Sequence, residues 1–154
     1  DTKTDRLLFD VGHQAYVLEG VKSLSALKPY SVKLKADDVE VEGNFIYGMV
    51  SNTESVGGIK GLAGTGIDLQ DGLFEVTLIR EIRTAIDFQQ LVTAFVTQNF
   101  NQCEVIYSLK AKHVELQFDE AADWTLDGEY GGKHEKIEFD VMHNAVEFLV
   151  KKND

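Results

Sequence analysis

The residues of this chain with chemistry to offer are carboxylates. Two acidic segments stand beside Gly-closed turns, Ile67-Asp68-Leu69-Gln70-Asp71-Gly72-Leu73-Phe74-Glu75-Val76 and Trp124-Thr125-Leu126-Asp127-Gly128-Glu129. An Asp-Gly pair flanked by alternating apolar residues is a strong hairpin signal, because a type I′ turn needs positive φ at both central residues and Gly supplies it without steric cost. The plain reading is two turns. The chemical reading is a carboxylate cluster with backbone carbonyls at Asp71, and a second acidic group, Glu129, directly after a turn. On these residues alone Asp71 is a turn former and Glu129 a solvated acid beside a hairpin.

Other chemistries find little support. His13, His113, His134 and His143 lack the paired spacing of a zinc site, and the single cysteine, Cys103, cannot complete one. Cys103 reads as a small buried residue in a strand, and each histidine as a surface or turn residue. There is no Gly-x-Ser-x-Gly elbow and no metalloprotease His-Glu pair. The Gly-rich stretch from Gly57 to Gly66 invites a phosphate-cradle reading, but Lys60 precedes Gly61 and Leu62 follows, so the Gly-Lys-Ser/Thr order of a P-loop is missing. It reads as a mobile surface loop at the mouth of a site.

Charge excludes one class of partner. With 26 acidic and 15 basic residues the net charge is −11, which opposes the phosphate contacts that dominate nucleic-acid affinity. No nucleic acid is expected. The same sign disfavours an anionic membrane for the domain as a whole, although the pairs Lys33/Lys35, Lys110/Lys112 and Lys151/Lys152 could meet lipid headgroups. Their plainer role is as solvated strand faces and edge protection. Apolar residues make up 44% and charged residues 27%, the balance of a compact globular domain. No apolar run approaches the ~20 residues that a spanning helix needs. No signal-peptide pattern opens the chain, and the expectation is a cytoplasmic domain. The sequence starts at Asp1 rather than Met, so it reads as processed or as a piece of something longer.

The elements that must position the carboxylates are mostly strands. Val11, Ala15, Leu18, Val21 and Leu24 recur near helical spacing and Pro29 stops them, which predicts a helix around residues 7–27. The period then changes to two: Val32, Leu34 and Ala36, then Val39 and Val41, then the apolar run Phe45 to Val50. A strand is predicted over Leu73 to Ile82. Ala85 to Phe100 is the clearest helix, with the stripe Phe88, Leu91, Val92, Phe95 and Val96, and with Asp87 and Gln90 at the spacing of a cap and its reciprocal partner. Strands follow at Cys103 to Ala111, His113 to Phe118, Lys136 to Val141 and Ala145 to Val150, with Met142-His143-Asn144 as the last turn. The expected fold is mainly β, a two-sheet sandwich resembling an open barrel, with one or two covering helices.

The segments Gly12-His13-Gln14-Ala15-Tyr16, Ser51-Asn52-Thr53-Glu54-Ser55-Val56-Gly57-Gly58, Asp68 to Val76, and Leu126-Asp127-Gly128-Glu129 together span nearly the whole chain. In this order they resemble the C-terminal domain of bacterial diacylglycerol kinases and their sphingosine-kinase-like relatives. The resemblance implies that residues 1–154 are the lipid-binding β-sandwich half of a two-domain, ATP-dependent kinase acting on diacylglycerol or a related lipid alcohol. ATP would be held mainly by an N-terminal domain whose Gly-Gly-Asp-Gly-Thr signature is absent here, so the isolated chain is expected to be inactive. Glu129 takes the role of general base on the lipid hydroxyl. A magnesium ion would be held by the Asp71 carboxylate with the backbone carbonyls of Asp68 and Leu73 and several waters. The enzyme would meet the membrane transiently from the cytoplasm, and a homodimer is left open. One departure matters: the family usually has a Pro and an Ala before the first Asp-Gly, where this chain has Gly64 and Gly66, so that loop is expected to be more mobile.

Two other classes fit the composition, since fold does not fix function. One is a non-catalytic β-sandwich binding module for a carbohydrate or apolar ligand. The other is a structural or oligomerisation domain.

Overall fold

The computed structural model describes residues 2–53, 55–56, 59–62 and 71–142. Its elements in chain order are α1 (Thr2–Ser25), β1 (Tyr30–Ala36), β2 (Val39–Ser51), β3 (Ser55–Val56), β4 (Ile59–Lys60), β5 (Phe74–Arg80), α2 (Ala85–Thr97), β6 (Ile106–Ala111), β7 (His113–Leu126) and β8 (Glu129–Asp140). Both helical intervals and the strands after Pro29 follow the apolar periods. The strand expected at Ala145 to Val150 lies outside the described residues, as do His143 and Asn144 of the last turn.

The fold is mainly β with two helices, as expected, but of the two sheets of the sandwich one is seen among the described residues. Six strands form one antiparallel sheet in the order β6-β5-β2-β1-β7-β8, and β3 with β4 makes a separate small ribbon; no second large sheet occurs among the described residues. The reason lies in strand length. Glu42, Gly43 and Asn44 do not interrupt β2, which stays paired with β1 from Val39 to Phe45. A register shift between Phe45 and Tyr47 then lets its second half continue against β5. β7 likewise runs on to Leu126, well beyond Phe118.

What makes the sheet sandwich-like is that it curls and folds over itself. β7 advances from Gln117 to Ala122 while its partner β8 moves only from Lys136 to His134. Extra residues on one strand of a pair bend it and increase its twist. Trp124 therefore meets Phe139 with ring centroids 6.0 Å apart, although Trp124 pairs with Gly132, seven residues from Phe139, and a straight strand would place them about 23 Å apart. Across the sheet, Phe139 of β8 also reaches Phe74 of β5 at 6.2 Å, where four flat strand spacings would separate them by about 19 Å. The concave side thus encloses one core, containing Val32, Leu34, Val76, Leu78, Val114 and Leu116. The convex side carries a second, in which Val21 of α1 and Leu91 and Ala94 of α2 pack with Ile46, Ile79 and Leu62.

Local details revise several readings. The cap of α2 is Thr84, in an extended conformation (φ −128°, ψ 161°), and Asp87 is the reciprocal partner rather than the cap. The Asp87 carboxylate accepts from Thr84 N at 2.9 Å while Thr84 Oγ1 accepts from Asp87 N at 3.1 Å. Asp127-Gly128 forms the expected two-residue hairpin turn, with φ 49° and 84° and Leu126 opposite Glu129. Asp71-Gly72 is no hairpin: only Gly72 has positive φ, and β5 pairs with β2 and β6. Lys33 and Lys35 guard no edge, because β1 is an interior strand; they face Glu42 and Glu40 across the β1–β2 pair. Cys103 is buried but precedes β6. Leu62, in the Gly-rich stretch, is buried in the convex core.

Asp37, in the β1–β2 turn at φ 49°, ties that turn to the β6–β7 corner by accepting from the backbone N of Lys112 and of His113, each at 3.0 Å.

Two measurements check these assignments. Thr84→Ala should lower the unfolding free energy by about 1 kcal/mol in urea titration, the usual loss for a cap. For Asp37, the Lys112 and His113 N–H donors hold its carboxyl below the usual range, so the folded state binds fewer protons than the unfolded chain. The resulting stability is present above pH ~4 and is lost as pH falls through the lowered folded value. Asp37→Asn should therefore lower the thermal midpoint at pH 7, and the difference from the parent should shrink in acid.

Candidate functional site

The concave core does not fill the space beneath the folded-over hairpin. A cavity of about 730 Å³ remains, lined by Val32, Phe45, Leu78 and Phe118 of the sheet and by Trp124 and Phe139. Its wall opposite the sheet comes from the distal β7–β8 hairpin, where Leu126, Asp127, Gly131 and His134 contribute. Gly48 helps to keep the floor open, since a Cβ there would come within 3.0 Å of Leu78 Cδ2. Four edge-to-face or tilted contacts join Tyr30, Phe118, Trp124, Phe139 and Phe74 into one run of rings at 5.7–6.3 Å. An apolar, aromatic cavity with a few polar groups at its rim suits a small apolar molecule carrying one polar end.

Glu129 lies at the tip of that hairpin. The Asp127-Gly128 turn makes it the first residue of β8, opposite Leu126, with an exposed side chain. Leu126 and Tyr130 beside it are 66% and 68% exposed, unusual for large apolar side chains. The carboxylate and an apolar surface therefore share one loop next to the cavity wall.

Asp71 sits elsewhere. It precedes β5, where its Oδ1 accepts from Leu73 N at 2.9 Å in a side-chain turn, and its Oδ2 faces Lys110 Nζ at 3.4 Å. Lys110 stands on β6 directly opposite Glu75 of β5, and its ammonium is 3.6 Å from Glu75 Oε1. Glu75 is only 1% exposed, and among the described residues neither of its oxygens accepts a hydrogen bond. Burial pushes the Glu75 carboxyl up, against the pull of Lys110. Alternation along β5 sends Val76 and Leu78 into the concave core and turns Glu75, Thr77 and Ile79 to the convex side, where Thr77 Oγ1 donates to Leu62 O at 3.1 Å.

The structure thus does not join the two acidic segments into one constellation: Asp71 belongs to a carboxylate and ammonium cluster associated with the convex face, and Glu129 to the hairpin over the concave face. Asp68 lies outside the described residues. Among the described residues no group of three or more His, Cys, Asp or Glu could hold a metal ion. Both Asp71 oxygens have partners among the described residues, Oδ1 with Leu73 N and Oδ2 with the Lys110 ammonium. Of the histidines, His113 Nδ1 is 2.7 Å from Asp140 Oδ1 and His134 Nε2 is 2.9 Å from Gly131 O. Sequence reasoning missed Glu75, Lys110 and Trp124. An acid alone among the apolar residues Phe74 to Ile79 was a signal that Glu75 is buried.

Comparison with known proteins agrees with this architecture. The family described as the YegS C-terminal NAD kinase beta sandwich-like domain matches residues 1–150. A diacylglycerol kinase of Bacillus subtilis (strain 168) is 32% identical over 122 residues, covering 79% of this chain and 40% of the relative. A diacylglycerol kinase of Staphylococcus epidermidis is 28% identical over 123 residues, covering 80% and 38%. Two solved structures from Bacillus anthracis strain Sterne share the fold. One superposes with a TM-score of 0.64 at 20% identity over 79% of this chain and 38% of that one; the other, a diacylglycerol kinase, gives 0.56 at 17% identity over 80% and 43%. The chain spans about 40% of the length of these curated relatives. Among the described residues no helix is long and apolar enough to cross a membrane. With the family matching nearly end to end, this chain belongs to the diacylglycerol kinase and YegS-like lipid kinase family, as its C-terminal beta sandwich-like domain.

Proposed function

We propose that the chain is the lipid-binding half of an ATP-dependent lipid kinase that phosphorylates diacylglycerol or a related lipid alcohol. The observation that carries this reading is the aromatic cavity of about 730 Å³ under the hairpin whose tip bears Glu129. An acyl chain enters among Phe118, Trp124 and Phe139, and the alcohol end stays at the polar rim. There the Glu129 carboxylate accepts the hydroxyl proton as the alcohol oxygen attacks the γ-phosphorus of ATP. The bond from that phosphorus to the bridging oxygen breaks, and ADP leaves with the displaced charge. The ATP phosphates are held by the N-terminal domain with its Gly-Gly-Asp-Gly-Thr signature, so this chain alone binds lipid without transferring phosphate. Leu126 and Tyr130 give the tip an apolar surface for transient contact with the membrane that supplies the lipid.

Asp71 has a supporting role in this reading. Its carboxylate, with the backbone carbonyls of Asp68 and Leu73, would hold a magnesium ion, and the ion would supply a fixed positive charge. Asp71 thereby anchors the turn into β5.

Trp124 is the chain's single tryptophan and lines the cavity. Titrating the chain with a diacylglycerol brominated along its acyl chain should quench Trp124 fluorescence saturably, with the unbrominated lipid competing; lipid that binds without quenching would remove the cavity from the account. In the complete two-domain kinase, Glu129→Gln should slow the chemical step by roughly 10²- to 10⁴-fold, the usual contribution of a general base. Folding and lipid affinity should be little changed. A near-normal kcat where chemistry limits turnover would exclude the role.

A further inference from the structure

Gly48 is a glycine that its own backbone does not require. It lies inside β2, directly opposite Leu78 of β5, and it is not one of the residues with positive φ, so other residues could adopt its conformation. Glycine inside a strand weakens it and marks places where another group comes close to the backbone. Alternation along β2 puts the missing side chain on the concave side: Tyr47 and Met49 pack against the convex core, whereas Val50 and Leu78 belong to the concave one. A Cβ at Gly48 would meet Leu78 Cδ2 at 3.0 Å and, apart from its chain neighbours, no other described atom within 4 Å. The flexible tip of Leu78 can give way by a few tenths of an ångström, and a longer side chain would run on into the cavity. β1 has ended by this point, its first residue Tyr30 standing opposite Phe45. No part of β1 therefore separates Gly48 from the distal half of β7, and both line the cavity.

We propose that Gly48 sets the length of acyl chain that the cavity accepts. The inference rests on the cavity binding the acyl chain of a lipid alcohol, and it adds the residue that decides how long that chain is. Space is limited enough for one side chain to matter. A methylene group is close in size to a water molecule, about 30 Å³, so a cavity of about 730 Å³ has room for about two dozen such groups. One sixteen-carbon chain with its glyceryl end uses nearly all of that room. The bare backbone at Gly48 is exposed and leaves open a stretch that any larger residue would occupy. A leucine there would add four carbons to the lining, and the accepted chain would shorten by about the same number.

The test is calorimetry on the full chain with monoacylglycerols of eight to sixteen carbons, delivered from cyclodextrin. In the parent, affinity should rise by up to roughly fourfold per added methylene, the worth of burying one, across the whole series. With Gly48→Leu the rise should stop about four carbons earlier, so that the sixteen-carbon lipid loses roughly 10- to 100-fold in affinity. The eight-carbon lipid, which leaves room to spare, should stay within about twofold of the parent. Gly48→Ala adds a single carbon and keeps the inference falsifiable if the leucine variant folds poorly. It should cost the sixteen-carbon lipid roughly fourfold and the eight-carbon lipid nothing, with an unchanged thermal midpoint. If the parent binds no monoacylglycerol of any length, the lipid reading of the cavity fails and this inference fails with it. Should the parent bind them with the expected length dependence while both variants weaken all lengths equally, or none, the lipid reading stands and the role of Gly48 is overturned.

Discussion

The run of rings Tyr30, Phe118, Trp124, Phe139 and Phe74 is the constraint on which the concave half of the molecule depends. Its members come from β1, β7, β8 and β5; the first three are neighbours, but a flat sheet would hold β5 and β8 well apart. Each contact adds about 0.5–1.5 kcal/mol beyond the area it buries. Together they favour the curled sheet over an open one, in which Trp124 and Phe139 would face water. The bend between Gln117 and Ala122 makes the meeting of Trp124 with Phe139 sterically feasible. One sheet bent in this way does the work of two, and the space between floor and roof becomes a cavity rather than a filled core.

This arrangement separates two tasks by face. Over the concave side, the hairpin roofs the cavity and carries Glu129 at its tip. On the convex side, the β5–β6 pair holds the Asp71, Lys110 and Glu75 cluster next to the core under α1 and α2. The cost of a buried Glu75 is sustained by a lysine opposite it on the neighbouring strand. Truncating one member of such a pair would leave the other uncompensated.

Much of this was legible in the sequence where a local rule decides the outcome. Pro29 ended α1, alternation after it gave the strands, and Asp127-Gly128 gave a two-residue turn with positive φ at both positions. The quoted segments pointed to the right family. Non-local physics decided what was missed. Whether Val39 to Ser51 is one strand or two depends on its neighbours β1 and β5, and the fold-over of β7 depends on how many residues β8 supplies opposite it. Thr84 displaced Asp87 as the cap because the helix begins one turn earlier than the acidic pattern implied. Lys110 reads as a solvated strand lysine until β5 places Glu75 across from it.

The most direct test of the account is where an acyl chain lies when a lipid alcohol binds. Intermolecular NOEs recorded on the chain with dioctanoylglycerol should connect the acyl methylene protons to the ring protons of Phe118, Trp124 and Phe139. NOEs confined to exposed side chains on the helices, such as Tyr16 or Ile86, with none to those three rings, would contradict it.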